Sequence, residues 1–200
     1  MDAKEVENLE ADVTVIGGGG AGLAAALAAS ENGCKDIIVL EKAGIGGNSA
    51  MAHDIFATES PVQRRMGVDA RRDAFFRIAM NWAHWSKINP RIVRAFIDKS
   101  GDTIRWLQEK GLRFELGQYY INQSPRVRHV IDGNGAELMK VLTKKCKEVG
   151  VRLITQAPAK KIVRDGEGIV TGVIAEAKEK KFVIKTKCVI IASGGYGMNQ

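Results

Sequence analysis

Three glycines constrain the fold of this chain more than any other feature. Gly17, Gly19 and Gly22 form a G-x-G-x-x-G motif between two segments of opposite character. Before them, Asp12 to Ile16 is a β-branched run that reads as a buried strand. After them, the Ala- and Leu-rich stretch Ala21 to Asn32 reads as a helix, with Gly33 as its C-terminal cap. Ile37 to Leu40 is a second short apolar run, again a buried strand. Strand, glycine turn, helix and strand within about 30 residues match a βαβ unit, whose strands are parallel. In such a unit Gly17 permits the tight turn, Gly19 lets backbone approach a pyrophosphate, and Gly22 lets helix and strand pack closely. The helix start at Gly20 to Leu23 offers free amides and a positive dipole end to phosphate oxygens.

Glu41 stands at the end of the second strand, 19 residues beyond Gly22. A carboxylate at that distance accepts hydrogen bonds from an adenosine ribose and opposes a 2′-phosphate. The pattern therefore points to an ADP-containing dinucleotide, and by itself leaves FAD and NAD both open.

Beyond Glu41 the pattern changes to a glycine-containing loop, Gly44 to Ser49, and a mixed segment to Gly67. Three helical stretches follow. The first carries Phe75, Ile78, Ala79, Trp82 and Ala83. The second starts at Asn89-Pro90 and carries Ile92, Val93, Phe96 and Ile97. The third holds Ile104 and Leu107 and stops at Gly111. Trp82, Trp85 and Trp106 read as core residues at this spacing. Leu112, Phe114 and Leu116 alternate like a short strand, and Gly117 to Gly135 reads as loop. A helix from Ala136 to Glu148 leads into a strand, Val151 to Thr155. The β-type runs Ala159 to Val163, Ile169 to Ala175 and Phe182 to Ile184 are separated by turn-forming residues, as in an antiparallel meander. Cys188 to Ala192 is a last buried-strand run before a glycine-rich end.

The net charge of +7 comes from dispersed basic residues. They read as solvated surface, and no nucleic-acid partner is expected. No apolar run is long enough to span a membrane. The acidic start MDAKEVENLEADV lacks the layout of a signal peptide, so a cytoplasmic protein is expected. Cys34, Cys146 and Cys188 lie far apart, with no metal-site or disulfide spacing. They read as reduced and mostly buried thiols, and no metal is expected.

The stretches VTVIGGGGAGLAAALAA, IIVLEK, GGNSAMA, GAELMKVLTKKCKEVGVRLIT and VIIASGGYG, in this order, resemble the FAD-dependent fumarate reductase and succinate dehydrogenase flavoprotein family. Its relatives include L-aspartate oxidase and flavin-dependent 3-ketosteroid dehydrogenases. The resemblance implies FAD rather than NAD, and an α/β, Rossmann-like FAD/NAD(P)-binding fold. Its parallel sheet would carry helices and a β-meander crossover. By the same resemblance Gly17, Gly19, Gly20, Ala21 and Gly22 form the phosphate turn, and Glu41, with Lys42 beside it, holds the adenosine ribose. Gly47, Asn48 and Ser49 lie along the pyrophosphate and flavin side. Ala159 occupies the place where a crossing strand meets the adenine. Ala192, Ser193 and Gly194 match a loop that the family writes Ala-Thr-Gly-Gly, with Ser193 replacing one hydroxyl residue by another.

Two departures from the family matter. Members that attach FAD covalently do so through a His that aligns with Asn48, which implies non-covalent FAD here. Where the family has Gly-Gly near the flavin ring, this chain has Asp54-Ile55, so either the local path differs or the flavin edge is altered. His53 reads as a hydrogen-bonded residue lining the flavin cleft, with proton transfer as the alternative. Arg126, Arg128 and His129 read as surface residues, with contact to an anionic substrate or the flavin as the alternative.

The activity implied by the resemblance is hydride transfer to or from a C–C bond next to a carboxylate or carbonyl. An unsaturated carboxylic acid is one candidate substrate. Family enzymes carry a capping domain and a C-terminal segment beyond the last glycine loop. The whole of residues 1–200 is therefore expected to be an FAD-binding domain, an N-terminal portion that is not catalytically complete, and its catalytic residues stay unassigned. Self-association or a partner subunit is expected to cover its open surfaces. An NAD-dependent dehydrogenase, or a non-catalytic dinucleotide-binding module completed by a partner chain, are the alternatives.

Overall fold

The computed structural model describes residues 5–118 and 125–195. In chain order its elements begin with β1 (Glu5–Ile16), α1 (Gly20–Glu31), β2 (Ile37–Leu40), a 3-10 turn (Gly47–Met51) and β3 (Asp54–Phe56). The helices α2 (Pro61–Arg65), α3 (Arg72–Trp82) and α4 (Pro90–Glu109) follow, then β4 (Phe114–Gly117) and β5 (Arg128–Ile131). The chain continues through α5 (Asn134–Glu148), β6 (Arg152–Ile154), β7 (Ala159–Arg164), β8 (Val170–Glu176) and β9 (Lys180–Ile191). Contacts divide these elements between two compact units, residues 1–51 with 138–200, and residues 52–137.

The first unit is built on a six-stranded sheet in the order β6-β2-β1-β9-β8-β7. β6, β2, β1 and β9 are parallel, while β7, β8 and β9 form the expected antiparallel meander. β2 reads IIVL because it is buried on both faces, the pattern of an inner parallel strand. Leu23, Ala26 and Leu27 of α1 are buried with Val13 and Val15 of β1. Cys146 of α5 is buried, its Sγ 3.7 Å from the Leu23 carbonyl. A second apolar cluster joins Ile38 and Leu40 to Val173, Ala175, Phe182 and Ile184.

Two strands are longer than their apolar runs suggest. β1 begins at Glu5, seven residues before Asp12, because the polar stretch EVENLEA pairs in register with β9. Lys180 lies 3.1 Å from Glu7, and Lys185 lies 3.5 Å from Glu10, so cross-strand charge pairs stand in for apolar contacts. β9 joins the run Phe182 to Ile184 and the run from Cys188, as far as Ile191, into one strand, through Thr186, which is buried.

The second unit has a three-stranded sheet, β3-β5-β4, and helices α2, α3 and α4. The two helical stretches read on either side of Ser100-Gly101 are a single helix of 20 residues. Gly101 does not break it. A Cβ there would overlap the Thr58 carbonyl oxygen, so this glycine admits the backbone of residues 58–59 against the helix. Ser100 Oγ accepts the Thr58 amide at 3.0 Å.

The mixed segment before Gly67 contains β3 and α2, and the segment read as loop from Gly117 to Gly135 contains β5. The start of α2 is a capping box, Ser60-x-x-Gln63, with Pro61 in its first turn. The core reading of the tryptophans is corrected: Trp82 is 84% exposed and Trp85 56% exposed, and Trp106 is half-buried. Helical spacing fixes which residues share a face, but it does not say whether that face is covered.

Candidate dinucleotide site

The C-terminal ends of β1, β2 and β9 converge in the first unit, and nearly all the residues singled out for dinucleotide binding collect there. Gly17 leaves β1 with a positive φ of 114°, and its amide donates to the Leu40 carbonyl at 2.8 Å. A Cβ on Gly17 would overlap the Ala192 carbonyl oxygen, and one on Gly22 would overlap the Gly17 carbonyl oxygen. These two glycines are required by the protein's own packing. Ala192 is tied to the same point, its amide donating to the Ile16 carbonyl at 2.8 Å.

Gly19 is different. It is the N-cap of α1 with extended backbone (φ −81°, ψ −176°) that any residue adopts. A Cβ there would meet only the Gly46 carbonyl oxygen at 3.7 Å and Ser49 Oγ at 3.8 Å, both ordinary contacts. Nothing in the protein excludes a Cβ at Gly19, so its absence leaves space beside the positive end of α1. Gly19 provides no capping side chain to the first turn; Ser49 Oγ accepts the Gly20 amide at 3.1 Å. Ala21 is exposed in that same turn.

The second glycine segment forms the opposite wall. The Gly46 amide donates to the Gly18 carbonyl at 3.0 Å, and the 3-10 turn Gly47–Met51 carries Gly47 and Asn48, both exposed, and the half-buried Ser49. Glu41 is almost fully buried at the end of the β2 run. Its Oε2 accepts the Gly18 amide at 2.7 Å and its Oε1 the Ala43 amide at 2.9 Å. The carboxylate therefore ties the glycine turn to the start of the following loop. Each oxygen takes one protein donor and keeps acceptor capacity for a hydroxyl. Lys42 is exposed beside it.

The connection from β6 to β7 closes the Glu41 end, with the Ala157 amide donating to the Glu41 carbonyl at 3.0 Å and Gln156 to Ala43 at 3.2 Å. Ala159 opens β7 two residues later. Ser193 and Gly194 follow Ala192 on the exposed side, with Gly194 at a φ of 83°. Open backbone at a helix start, a two-armed buried carboxylate and three glycine-bearing segments thus lie together at this end of the sheet.

A family model described as "FAD binding domain" matches residues 12–200. The chain belongs to the FAD binding domain family. This match resolves the choice between FAD and NAD in favour of FAD, and fumarate reductases are among the relatives and the solved structures the chain resembles. It is 31% identical over 196 residues to the NADH:fumarate oxidoreductase of Klebsiella pneumoniae, covering 94% of this chain and 21% of that protein. Against the vinyl phenol reductase of Lactiplantibacillus plantarum it is 29% identical, over 92% of this chain and 38% of that protein. Its fold matches the open conformation of a flavocytochrome c3 fumarate reductase with a TM-score of 0.87 and 29% identity, covering 96% of this chain and 35% of that one. The chain thus spans about a fifth to two fifths of the length of these relatives.

The remaining singled-out residues belong to the second unit. Asp54-Ile55, set against Gly-Gly by the sequence resemblance, lies in β3, paired with Val130 and His129 of β5. Asp54 Oδ2 accepts from Arg128 Nε at 2.7 Å, so the altered pair is built into a small sheet and an ion pair. His53 Nδ1 lies 3.2 Å from Asn134 Oδ1. The reading of His129 as a surface residue is corrected: it is fully buried, with Nε2 2.6 Å from Ser60 Oγ. The polar letters Arg126 to His129 hide a strand whose alternate residues face inward.

The thiols are also less uniform than expected. Cys146 is buried and pushed up to about 11 by desolvation, whereas Cys34 is half-buried and Cys188 exposed. Among the described residues no group of three or more His, Cys, Asp or Glu could hold a metal ion, and no helix is long and apolar enough to cross a membrane.

Proposed function

We propose that the first unit holds FAD non-covalently, stretched across the ends of β1, β2 and β9. The observation that carries this reading is Gly19, a glycine that neither packing nor backbone conformation demands. In this reading Gly17, Gly19, Gly20, Ala21 and Gly22 present backbone to the pyrophosphate, at the positive end of α1. Glu41 accepts from the ribose hydroxyls, and Lys42 lies beside it. Ala159 meets the adenine through backbone. Gly47, Asn48 and Ser49 run along the pyrophosphate toward the flavin, and Ala192, Ser193 and Gly194 give it an unobstructed edge. The Asn48 carboxamide forms no bond to a flavin methyl carbon, so the cofactor is held by contacts alone.

When bound, FAD supplies hydride transfer. The whole protein, in this proposal, reduces a C=C bond conjugated to a carboxylate, carbonyl or aryl group, as the names of the fumarate, urocanate and vinyl phenol reductases describe for those relatives. Self-association or further polypeptide would then supply the substrate-binding residues.

A calorimetric ligand series tests the binding reading. FAD should bind more tightly than FMN, NAD or ADP, with ADP retaining a measurable share through Glu41 and the glycine turn. Equal affinity for NAD and FAD, or for FMN and FAD, would overturn it. Anaerobic dye-linked assays of the whole protein with fumarate, urocanate and a vinylphenol test the reaction. Turnover with none of the three would remove the conjugated-alkene proposal.

A further inference from the structure

The second unit contains a polar cluster, sealed from solvent, that lies outside the proposed FAD cradle. Ser60, Gln63 and His129 are all fully buried. Gln63 Oε1 accepts the Ser60 amide at 2.9 Å, and its Nε2 donates to the carbonyls of Ala57 at 2.9 Å and Arg126 at 2.7 Å. Ser60 Oγ accepts the Gln63 amide at 3.1 Å. His129 Nδ1 lies 3.1 Å from the Val127 carbonyl, which can only accept, so Nδ1 carries the ring proton. Nε2 of the neutral ring is then an acceptor, and the Ser60 hydroxyl donates to it across 2.6 Å. This closed set ties the start of α2 to β5, to the segment just after β3, and to residues 126–127.

We propose that Ser60, Gln63 and His129 form an acid-sensitive latch, holding the second unit together while the imidazole is neutral and releasing it on protonation. A proton on Nε2 turns an acceptor into a donor. Ser60 Oγ would then face two donors, the Gln63 amide and the imidazolium, while its own O–H lost its acceptor in the cluster. The added charge would also be sealed away from water without a carboxylate partner.

The charged side chains on the packed elements do not offset this. Asp54 of β3 is engaged by Arg128 of β5, Arg64 and Arg65 of α2 and Glu115 of β4 are exposed, and the Phe114 ring stands edge-on with centroids 6.4 Å apart. Desolvation holds His129 below the ordinary histidine range, and backbone hydrogen bonds to Val127 and Ile55 oppose it less strongly. The sign of the response follows. With the folded pKa depressed, His129's contribution is fully present above the unfolded value of about 6.5 and declines as pH falls below it, toward the folded pKa. One proton moves the closed-to-open ratio by up to about tenfold per pH unit in that window.

Trp82, Trp85 and Trp106 are the chain's three tryptophans, and all lie in the second unit. Trp82 and Trp85 are already exposed, so the emission change on opening is read from half-buried Trp106, and flavin fluorescence reports the first unit. The test titrates flavin-loaded protein from about pH 8 to about pH 5. Tryptophan emission should shift reversibly below about pH 6.5, before flavin is released. His129→Gln, whose amide oxygen can still accept from Ser60 and does not titrate, should lose the shift. NMR of the wild-type imidazoles supplies a second measurement, in which the His129 signal should not titrate until the emission changes. An acid shift undiminished in His129→Gln, or a His129 ring that titrates without any change in emission, would overturn the latch. If His129→Gln does not fold, the imidazole titration decides alone.

Discussion

Replacing Gly19 and Gly22 separately by Ala distinguishes glycines that serve the fold from glycines that serve the cofactor. At Gly22 the new Cβ overlaps the Gly17 carbonyl oxygen, and backbone on both sides must move. Overpacking of this kind costs about 1–3 kcal/mol. At about 2–4 °C per kcal/mol for a chain this long, the cofactor-free protein should melt roughly 2–12 °C lower. At Gly19 the new Cβ sits at 3.7 and 3.8 Å from its nearest neighbours, on backbone that Ala adopts freely. The weaker N-cap is offset by lower entropy of the unfolded chain, so the net change should stay within about 1 kcal/mol. The methyl occupies space proposed for the pyrophosphate, however. Loss of one charge-assisted hydrogen bond is worth about 1.5–3 kcal/mol, or roughly ten- to a hundredfold in FAD affinity. Calorimetric FAD titration and thermal melts of both apo variants measure these quantities. Wild-type FAD affinity in Gly19→Ala, or equal loss of apo stability in the two variants, would refute the division of labour.

Three further outcomes are expected. Glu41→Gln should lower both apo stability and FAD affinity, because an amide nitrogen would face either the Gly18 or the Ala43 amide; the cost is about 1.5–3 kcal/mol, and an unchanged apo melt would contradict it. Asp12 is held at about 2 by hydrogen bonds from Lys187, first, and from the Asp36 and Lys35 amides. The contribution it makes to stability is therefore present above its ordinary value and fades as pH falls toward about 2; Lys187→Ala should raise its NMR titration midpoint, and an unmoved midpoint would remove the pair. With native protein, a thiol reagent should label Cys188 first and leave Cys146 unlabelled until unfolding, whereas early labelling of Cys146 would contradict its burial.

Most of the first unit was legible from its letters because its chemistry is local. The turn at Gly17, the buried run Ile37 to Leu40 and the carboxylate at Glu41 all sit within one βαβ unit, where spacing and geometry correspond directly. The length of β1 was not legible, because Glu5 to Ala11 becomes a strand only through the lysines of β9, which come some 170 residues later. Nor could spacing show that Glu41 already binds the Gly18 and Ala43 amides, since that needs the loop brought back on itself.

The second unit was harder to read. β3 and β5 are three- and four-residue strands separated by more than 70 positions, and no local periodicity marks strands so short. The signal that was available there was the capping box Ser60-x-x-Gln63 with Pro61 inside it, and it marks α2. His129 gave no such cue, since its burial depends on α2 and β4 packing over a strand that reads as loop.

The measurement that bears most directly on the central claim is the fate of the flavin when the purified, flavin-loaded protein is precipitated with acid. A cofactor held by the glycine turn, Glu41 and the Gly47–Ser49 segment, with no bond at Asn48, should pass entirely into the supernatant and chromatograph as intact FAD. Yellow colour retained in the precipitated polypeptide, or a released compound that elutes as FMN or a nicotinamide dinucleotide, would contradict the account.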